Sequence, residues 1–232
     1  MARSRGNDRV GQEVIRAGKC KRQNVKVFLM MHYPQFIETI KLEGRRLHNL
    51  AYHNARVNKT RREVLHINEP LDLAEHIPMP EEVDQDICKC RVTYGWEVSS
   101  VEIEYYEPKR IRSLRLIEGG NIDYKYKYAD RSAINTLYAR REGCDDILIV
   151  KDDLITDTAS ANVAFSDGKE WWTPSTPLLA GTKRQQLLDE GGIKEMFIRP
   201  SDLTRFSQFV VFNAMMEFDA RNGRPVTGIQ RG

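Results

Sequence analysis

The apolar positions of this chain fall into short runs divided by polar turns, with no single long period. Phe36-Ile-Glu-Thr-Ile-Lys41 alternates and is β-branched, which predicts a strand. After a Glu-Gly turn, Leu47, Leu50, Ala51, Val57 and Leu65 recur near helical spacing. They predict a moderately amphipathic helix over 47–65 with a basic outer face. Pro70, Pro78 and Pro80 break the next stretch into a short helix and a loop. Ile87–Thr93 and Val98–Tyr106 flank Tyr94-Gly95 and read as a hairpin, with Ser113–Ile117 as a third strand before a Glu118-Gly-Gly-Asn121 loop.

The second half changes rhythm. Asp130–Glu142 reads as a helix with Asp130 as its N-cap, followed by a buried strand at Asp146–Val150. Lys151-Asp-Asp153 is a tight turn into Leu154-Ile-Thr, and Asn162–Trp172 is a hairpin bent at Asp167-Gly168. Thr182–Asp189 reads as a helix preceded by Gly181, and strands are predicted at Phe197–Pro200 and Gln208–Ala214. This order lacks the regular βαβ beat of a doubly wound sheet and indicates an α/β protein built of α+β lobes. We divide it into a basic tail at 1–29, a small N-terminal lobe at 30–118 and a larger C-terminal lobe at 119–232.

Composition changes the picture little, because 41% hydrophobic and 30% charged residues describe an ordinary globular chain. No apolar run approaches the roughly 20 residues that span a bilayer. The net charge of +3 is more informative once divided. Residues 1–28 hold eight basic residues against Asp8 and Glu13, which leaves the remainder at −3. A nucleic-acid-binding domain spreads its basic face over the fold, so that class loses weight. The tail fits neither a secretory signal nor a transit peptide, and it reads as a disordered or mispredicted segment, with Met30-Met31 as an alternative start.

The four cysteines are too few and scattered for a disulfide framework. Cys88-Lys-Cys90 puts two sulfurs on one strand face, but without a second pair they read as buried apolar residues, and no metal site is expected. His48 and His53 are five apart, not the four of a zinc-binding helix pair, and read as surface or structural. A reducing cytoplasm is the default compartment.

Three segments carry candidate chemistry: Tyr126-Lys127-Tyr-Ala-Asp-Arg131 before a helix, Ile155-Thr-Asp157-Thr-Ala-Ser-Ala-Asn162-Val, and Thr173-Pro followed by Pro177-Leu-Leu-Ala-Gly181-Thr182-Lys183-Arg184. In order and separation they resemble the lysine, acid-to-asparagine and glycine-to-arginine motifs of the class IV aminotransferases. That family includes branched-chain and D-amino-acid aminotransferases and aminodeoxychorismate lyase. The resemblance runs from about Phe36 to Gly228. It implies a two-lobed fold-type IV enzyme with the active site between its lobes, pyridoxal 5'-phosphate (PLP) as cofactor, and a homodimer.

The resemblance also assigns roles. Lys127 carries the cofactor, and Lys125, two residues earlier on the same face if the segment is extended, is the fallback. Such a lysine must be nucleophilic near neutral pH and must move a proton. Asp157 stands where relatives have the glutamate that keeps the PLP ring nitrogen protonated, with Asn162 completing the motif. Gly181, Thr182 and Lys183 offer helix-start amides to the phosphate, and Arg56 matches the family's phosphate-binding arginine. Arg91 and Lys41 are candidates for a substrate carboxylate, and Phe212-Asn213-Ala214-Met215 resembles a substrate-facing loop. Transamination between an amino acid and a 2-oxo acid ranks first, and 4-amino-4-deoxychorismate lyase second. A weakly catalytic PLP-binding regulator is the alternative of another class, prompted by aspartate in place of glutamate.

Overall fold

The computed structural model describes residues 33–79 and 86–231, so the reading of the tail at 1–29 lies outside the described residues. Pro34–Gly232 form one compact unit. It opens with β1 (Phe36–Glu43), β2 (Arg46–Leu47), α1 (Leu50–Leu65), β3 (Cys88–Tyr94) and β4 (Val98–Tyr105). These strands make an antiparallel sheet in the order β2-β1-β3-β4, with Thr39 opposite Arg91 and Lys41 opposite Lys89.

Period-two alternation gives this sheet two different faces. Phe36, Ile40, Leu42, Cys90, Val92 and Tyr94 are wholly buried, and most of them join Val57 and Leu65 of α1 in one core. Cys88 and Cys90 are free thiols on this buried side. Ile37, Thr39, Lys89 and Arg91 occupy the opposite face and line a cavity. The helix begins three residues later than its apolar pattern predicts. Arg46 and Leu47 pair back onto β1 through Gly44 and Arg45, and Asn49 then takes a left-handed φ of 53°.

The remainder contains β5 (Leu114–Glu118), α2 (Ser132–Tyr138), β6 (Asp146–Lys151), β7 (Leu154–Thr158), β8 (Asn162–Ser166), β9 (Trp171–Pro174) and α3 (Thr182–Asp189). It closes with β10 (Lys194–Met196), β11 (Gln208–Phe212), β12 (Arg224–Pro225) and β13 (Ile229–Gln230). One sheet runs β13-β5-β6-β7 and the other β10-β9-β8-β11-β12. Both mix parallel and antiparallel pairs, so the architecture is a mixed α/β fold. Strand β5, expected in the smaller lobe, pairs instead with β6 and β13.

Local chemistry explains the turns. Asp152 and Asp153 both have positive φ, 52° and 61°, the primed-turn geometry that lets two residues join β6 to β7. Gly168 at φ 93° bends the hairpin between β8 and β9. Two expectations need correction. Helix α2 ends at Tyr138, not Glu142, because Arg140 and Arg141 tighten into three-residue bonds before left-handed Glu142 and Gly143. Phe197–Pro200 is not a strand: β10 stops at Met196, and Pro200 opens a 3-10 turn to Arg205. Among the described residues no helix is long and apolar enough to cross a membrane.

Candidate active site

A cavity of about 240 Å³ lies against the charged face of β1 and β3 and is closed by segments from the second half of the chain. Its lining contains five cationic side chains, Arg56, Lys89, Arg91, Lys127 and Arg131, against one carboxylate, Asp157. Arg56, Lys89, Arg131 and Asp157 are each held by hydrogen bonds or an ion pair within the protein, so these charges are oriented in advance.

Lys127 sits in the segment after β5, which lies along the start of β1. The Ile37 N–H donates to the Lys127 carbonyl (2.9 Å), and the Ala129 N–H donates to the Gln35 carbonyl (2.8 Å). Tyr128 bridges to Phe36, and their rings lie 5.2 Å apart. Burial pushes the Lys127 amine down to about 7; the Arg56 charge adds to that effect and Glu38 partly offsets it. Lys125 does not share its face, because the Tyr128 N–H turns back to the Tyr126 carbonyl. It points outward, 3.6 Å from Glu63 and stacked over Tyr126, and does not line the cavity.

Asp157, on β7, is buried, and both its oxygens are occupied. One accepts from Asn162 Nδ2 (2.7 Å) and the other from the Leu179 N–H (2.9 Å). Burial raises this carboxyl to about 6, against the pull of those hydrogen bonds. Asn162, on β8, also donates to the Leu179 carbonyl (3.1 Å), and so ties two strands to the loop ahead of α3. Gly181 closes that loop with no room to spare: a Cβ there would lie 2.0 Å from Asn162 Oδ1. The first turn of α3 follows at once, with Thr182 buried at the cavity wall.

Arg56 reaches the same region from α1. Its Nε and Nη2 donate to the two oxygens of Glu38 (2.9 and 2.6 Å), and its Nη1 donates to the Ala180 carbonyl (3.3 Å). Arg131 donates to the Ala159 carbonyl (2.7 Å) and Asn213 Nδ2 to the Ser160 carbonyl (3.2 Å), which clamps the β7–β8 turn at the cavity mouth. Asn213, Ala214 and Arg91 all line the cavity.

Two side chains of the predicted set stand elsewhere, although the Lys183 amide remains at the start of α3. Lys41 pairs with Glu43 (2.9 Å) and Glu217 (3.5 Å), and Lys183 pairs with Glu217 (2.5 Å). Neither side chain lines the cavity, because Glu217 draws both away from it. Sequence reasoning gave no role to Glu38, Lys89 or Arg131 and read His53 only as surface or structural. One signal was available: Glu38 is an acid on the face of β1 that Phe36 and Ile40 mark as core.

The donor set suits PLP: an amine of depressed basicity, an arginine beside a helix start, and a buried carboxylate share one enclosure. The amino-transferase class IV family model matches residues 92–226. An uncharacterised protein of Haemophilus influenzae is 36% identical over 185 residues, covering 79% of this chain and 98% of that protein. A crystal structure from Haemophilus somnus 129PT, under the provisional name 4-amino-4-deoxychorismate lyase, is 28% identical. It superposes with a TM-score of 0.74 over 80% of this chain and 98% of that one. A hypothetical aminotransferase of Mycobacterium tuberculosis in its PLP-bound form shares the fold at 16% identity, with a TM-score of 0.63 over 87% and 83%. The architecture is therefore that of the fold-type IV PLP enzymes. Within that class, the chain belongs to the class IV aminotransferase family.

Proposed function

We propose that this protein is a PLP-dependent aminotransferase that moves an amino group between an amino acid and a 2-oxo acid. The observation that carries the reading is the convergence of Lys127, Arg56 and Asp157 on one cavity. PLP, when bound, supplies an electron sink for the pair released at the substrate's α-carbon. Arg56 and the first amides of α3, from Gly181 through Thr182 and Lys183, hold the phosphate. Asp157, steadied by Asn162, keeps a proton at the ring nitrogen. Lys127 would carry the cofactor and, once freed, would move the substrate's α-proton to the cofactor's C4′ carbon, a task suited to an amine titrating near 7. Arg91 and the Asn213–Ala214 loop bind the substrate carboxylate. Lys41, turned toward Glu43 and Glu217, is no longer assigned to substrate. A cytoplasmic homodimer belongs to the same reading and is carried by the family resemblance.

A specific observation favours a second reading, 4-amino-4-deoxychorismate lyase. Beyond Arg56 and Lys127, Arg91 and Arg131 line the cavity, one cation for each carboxylate of a substrate that has two, while Lys89 is paired with Glu104. The name of the Haemophilus somnus relative points the same way.

The test begins with purified protein and added PLP: visible absorbance, borohydride trapping and mapping of the modified peptide. Label on Lys127 supports the cofactor reading, and a colourless protein or label on a distant lysine rejects it. Amino donors are then screened with 2-oxo acid acceptors. Amino transfer supports the aminotransferase, and pyruvate release from aminodeoxychorismate without an acceptor supports the lyase. Tight PLP binding with neither reaction would leave the regulatory alternative. In either enzyme, Arg91→Gln is expected to raise KM for the carboxylate substrate about tenfold with a smaller change in kcat, as loss of uniform binding does. An unchanged KM removes Arg91 from the substrate site.

A further inference from the structure

Glu38 has no exposed surface, yet it sits among Phe36, Ile40 and Leu42 on the apolar face of β1. A buried charge needs partners, and Glu38 has a full set. One oxygen accepts from Arg56 Nε, and the other accepts from Arg56 Nη2 (2.6 Å) and His53 Nδ1 (2.6 Å). Because the carboxylate only accepts, His53 Nδ1 carries the proton in that contact. His53 is itself fully buried, and burial lowers its basicity, so Nε2 is left as an acceptor for the Thr182 hydroxyl at 3.3 Å. A continuous buried chain, Arg56–Glu38–His53–Thr182, thus joins the inner face of β1, helix α1 and the first residue of α3.

We propose that Glu38 is a positioning residue for the cofactor phosphate, holding Arg56 toward the start of α3 and thereby setting the preference for phosphorylated over unphosphorylated cofactor. The inference rests on PLP as the cofactor. Two observations carry it. Glu38 grips Arg56 by Nε and Nη2, the two-point contact that fixes the plane of a guanidinium. The remaining edge, Nη1, is left at the loop ahead of α3, where it meets the Ala180 carbonyl. An arginine fixed beforehand loses no side-chain freedom when an anion arrives. The His53–Thr182 link sets that helix start against α1, so the two halves of the phosphate cradle are fixed to each other through Glu38.

The decisive measurement compares affinities for PLP and for pyridoxal, which lacks the phosphate, by absorbance titration of the full chain. Glu38→Gln is expected to weaken PLP binding tenfold or more while changing pyridoxal binding less than twofold. In an Arg56→Gln background, adding Glu38→Gln is expected to change PLP affinity less than twofold, because Glu38 acts through Arg56. Equal loss for both ligands, no loss for PLP, or full additivity with Arg56→Gln would overturn the proposal. Should Glu38→Gln alone fail to fold, the double variant removes both buried charges together and its comparison with Arg56→Gln decides alone. Wild-type protein that binds neither ligand overturns the cofactor reading and this inference together. Wild-type binding with an unchanged PLP-to-pyridoxal ratio in the variants overturns this inference only.

Discussion

Replacing Lys127 by methionine is expected to stabilise the cofactor-free protein, most strongly in acid. The amine falls from an ordinary 10.5 to about 7 in the folded chain, burial being the main cause and Arg56 the second. Between those two values the unfolded chain binds more protons than the folded one, so stability rises with pH across that window. Below about pH 7 both states are protonated and the penalty on the folded state is complete. A difference of roughly 3.5 pH units at about 1.4 kcal/mol each sets a ceiling near 5 kcal/mol. Water reaching a cavity-lining amine reduces this, and we expect about 1–3 kcal/mol. Methionine matches the length of the lysine stem and carries no charge, so the variant lacks the titration. Urea unfolding of both cofactor-free proteins at several values between pH 6 and 10 checks it. The variant's advantage should be largest and level below pH 7 and shrink steadily above it. An advantage independent of pH, or a wild type more stable at pH 6, would refute the reasoning that the fold holds this amine against its charge.

Gly181→Ala is expected to destabilise the protein by about 2–4 kcal/mol. Its φ of −69° suits alanine, but the new Cβ would meet Asn162 Oδ1 at 2.0 Å and displace a side chain that makes hydrogen bonds to Asp157 and Leu179. Thermal unfolding checks this at roughly 2–4 °C per kcal/mol, and an unchanged midpoint would refute it. Asp157→Asn is expected to retain folded structure and lower turnover roughly 10²-fold, the low end of what a well-placed proton contributes. The same substitution removes a carboxyl raised from 3.8 to about 6, whose ionisation destabilises the folded state as pH rises through that interval. The variant should therefore be less sensitive to pH between about 4 and 6 than the wild type, and identical urea midpoint profiles over that range would contradict the assignment.

The second half of the site was legible because its chemistry is local. Lys127, Asp157, Asn162 and Gly181 each stand beside the turn or strand that positions them, and all four line the one cavity. Lys125 was ambiguous for a backbone reason. Two residues apart share a face only in an extended strand, and the Tyr128-to-Tyr126 hydrogen bond breaks that rule here. Lys41 misled because a motif position fixes where a side chain begins and not where it ends, whereas Lys183 was read for its backbone amide, which stays at the helix start. Glu217 lies far along the sequence from Lys41, and it captures both amines.

Glu38 and His53 follow one physical rule. The apolar face of β1 is defined by Phe36, Ile40 and Leu42, and Glu38 interrupts it at the position that faces α1. An acid there destabilises the core unless a cation and further donors meet it. The next helix offers His53 and Arg56 three residues apart, on adjoining turns of one face. That spacing would have paired all three from sequence, had the break in alternation been treated as a charge in need of partners. Arg131 and Lys89 offer no comparable signal, because exposed and cavity-facing cations look the same in a pattern of polar positions. Their convergence is a property of the fold: β3 presents Lys89 and Arg91 on the face opposite its buried cysteines, and α2 begins beside the β7–β8 turn that Arg131 clamps. Glu38 answers Arg56 and Glu104 answers Lys89, so Arg91 and Arg131 carry most of the positive potential that a ligand in this cavity would meet.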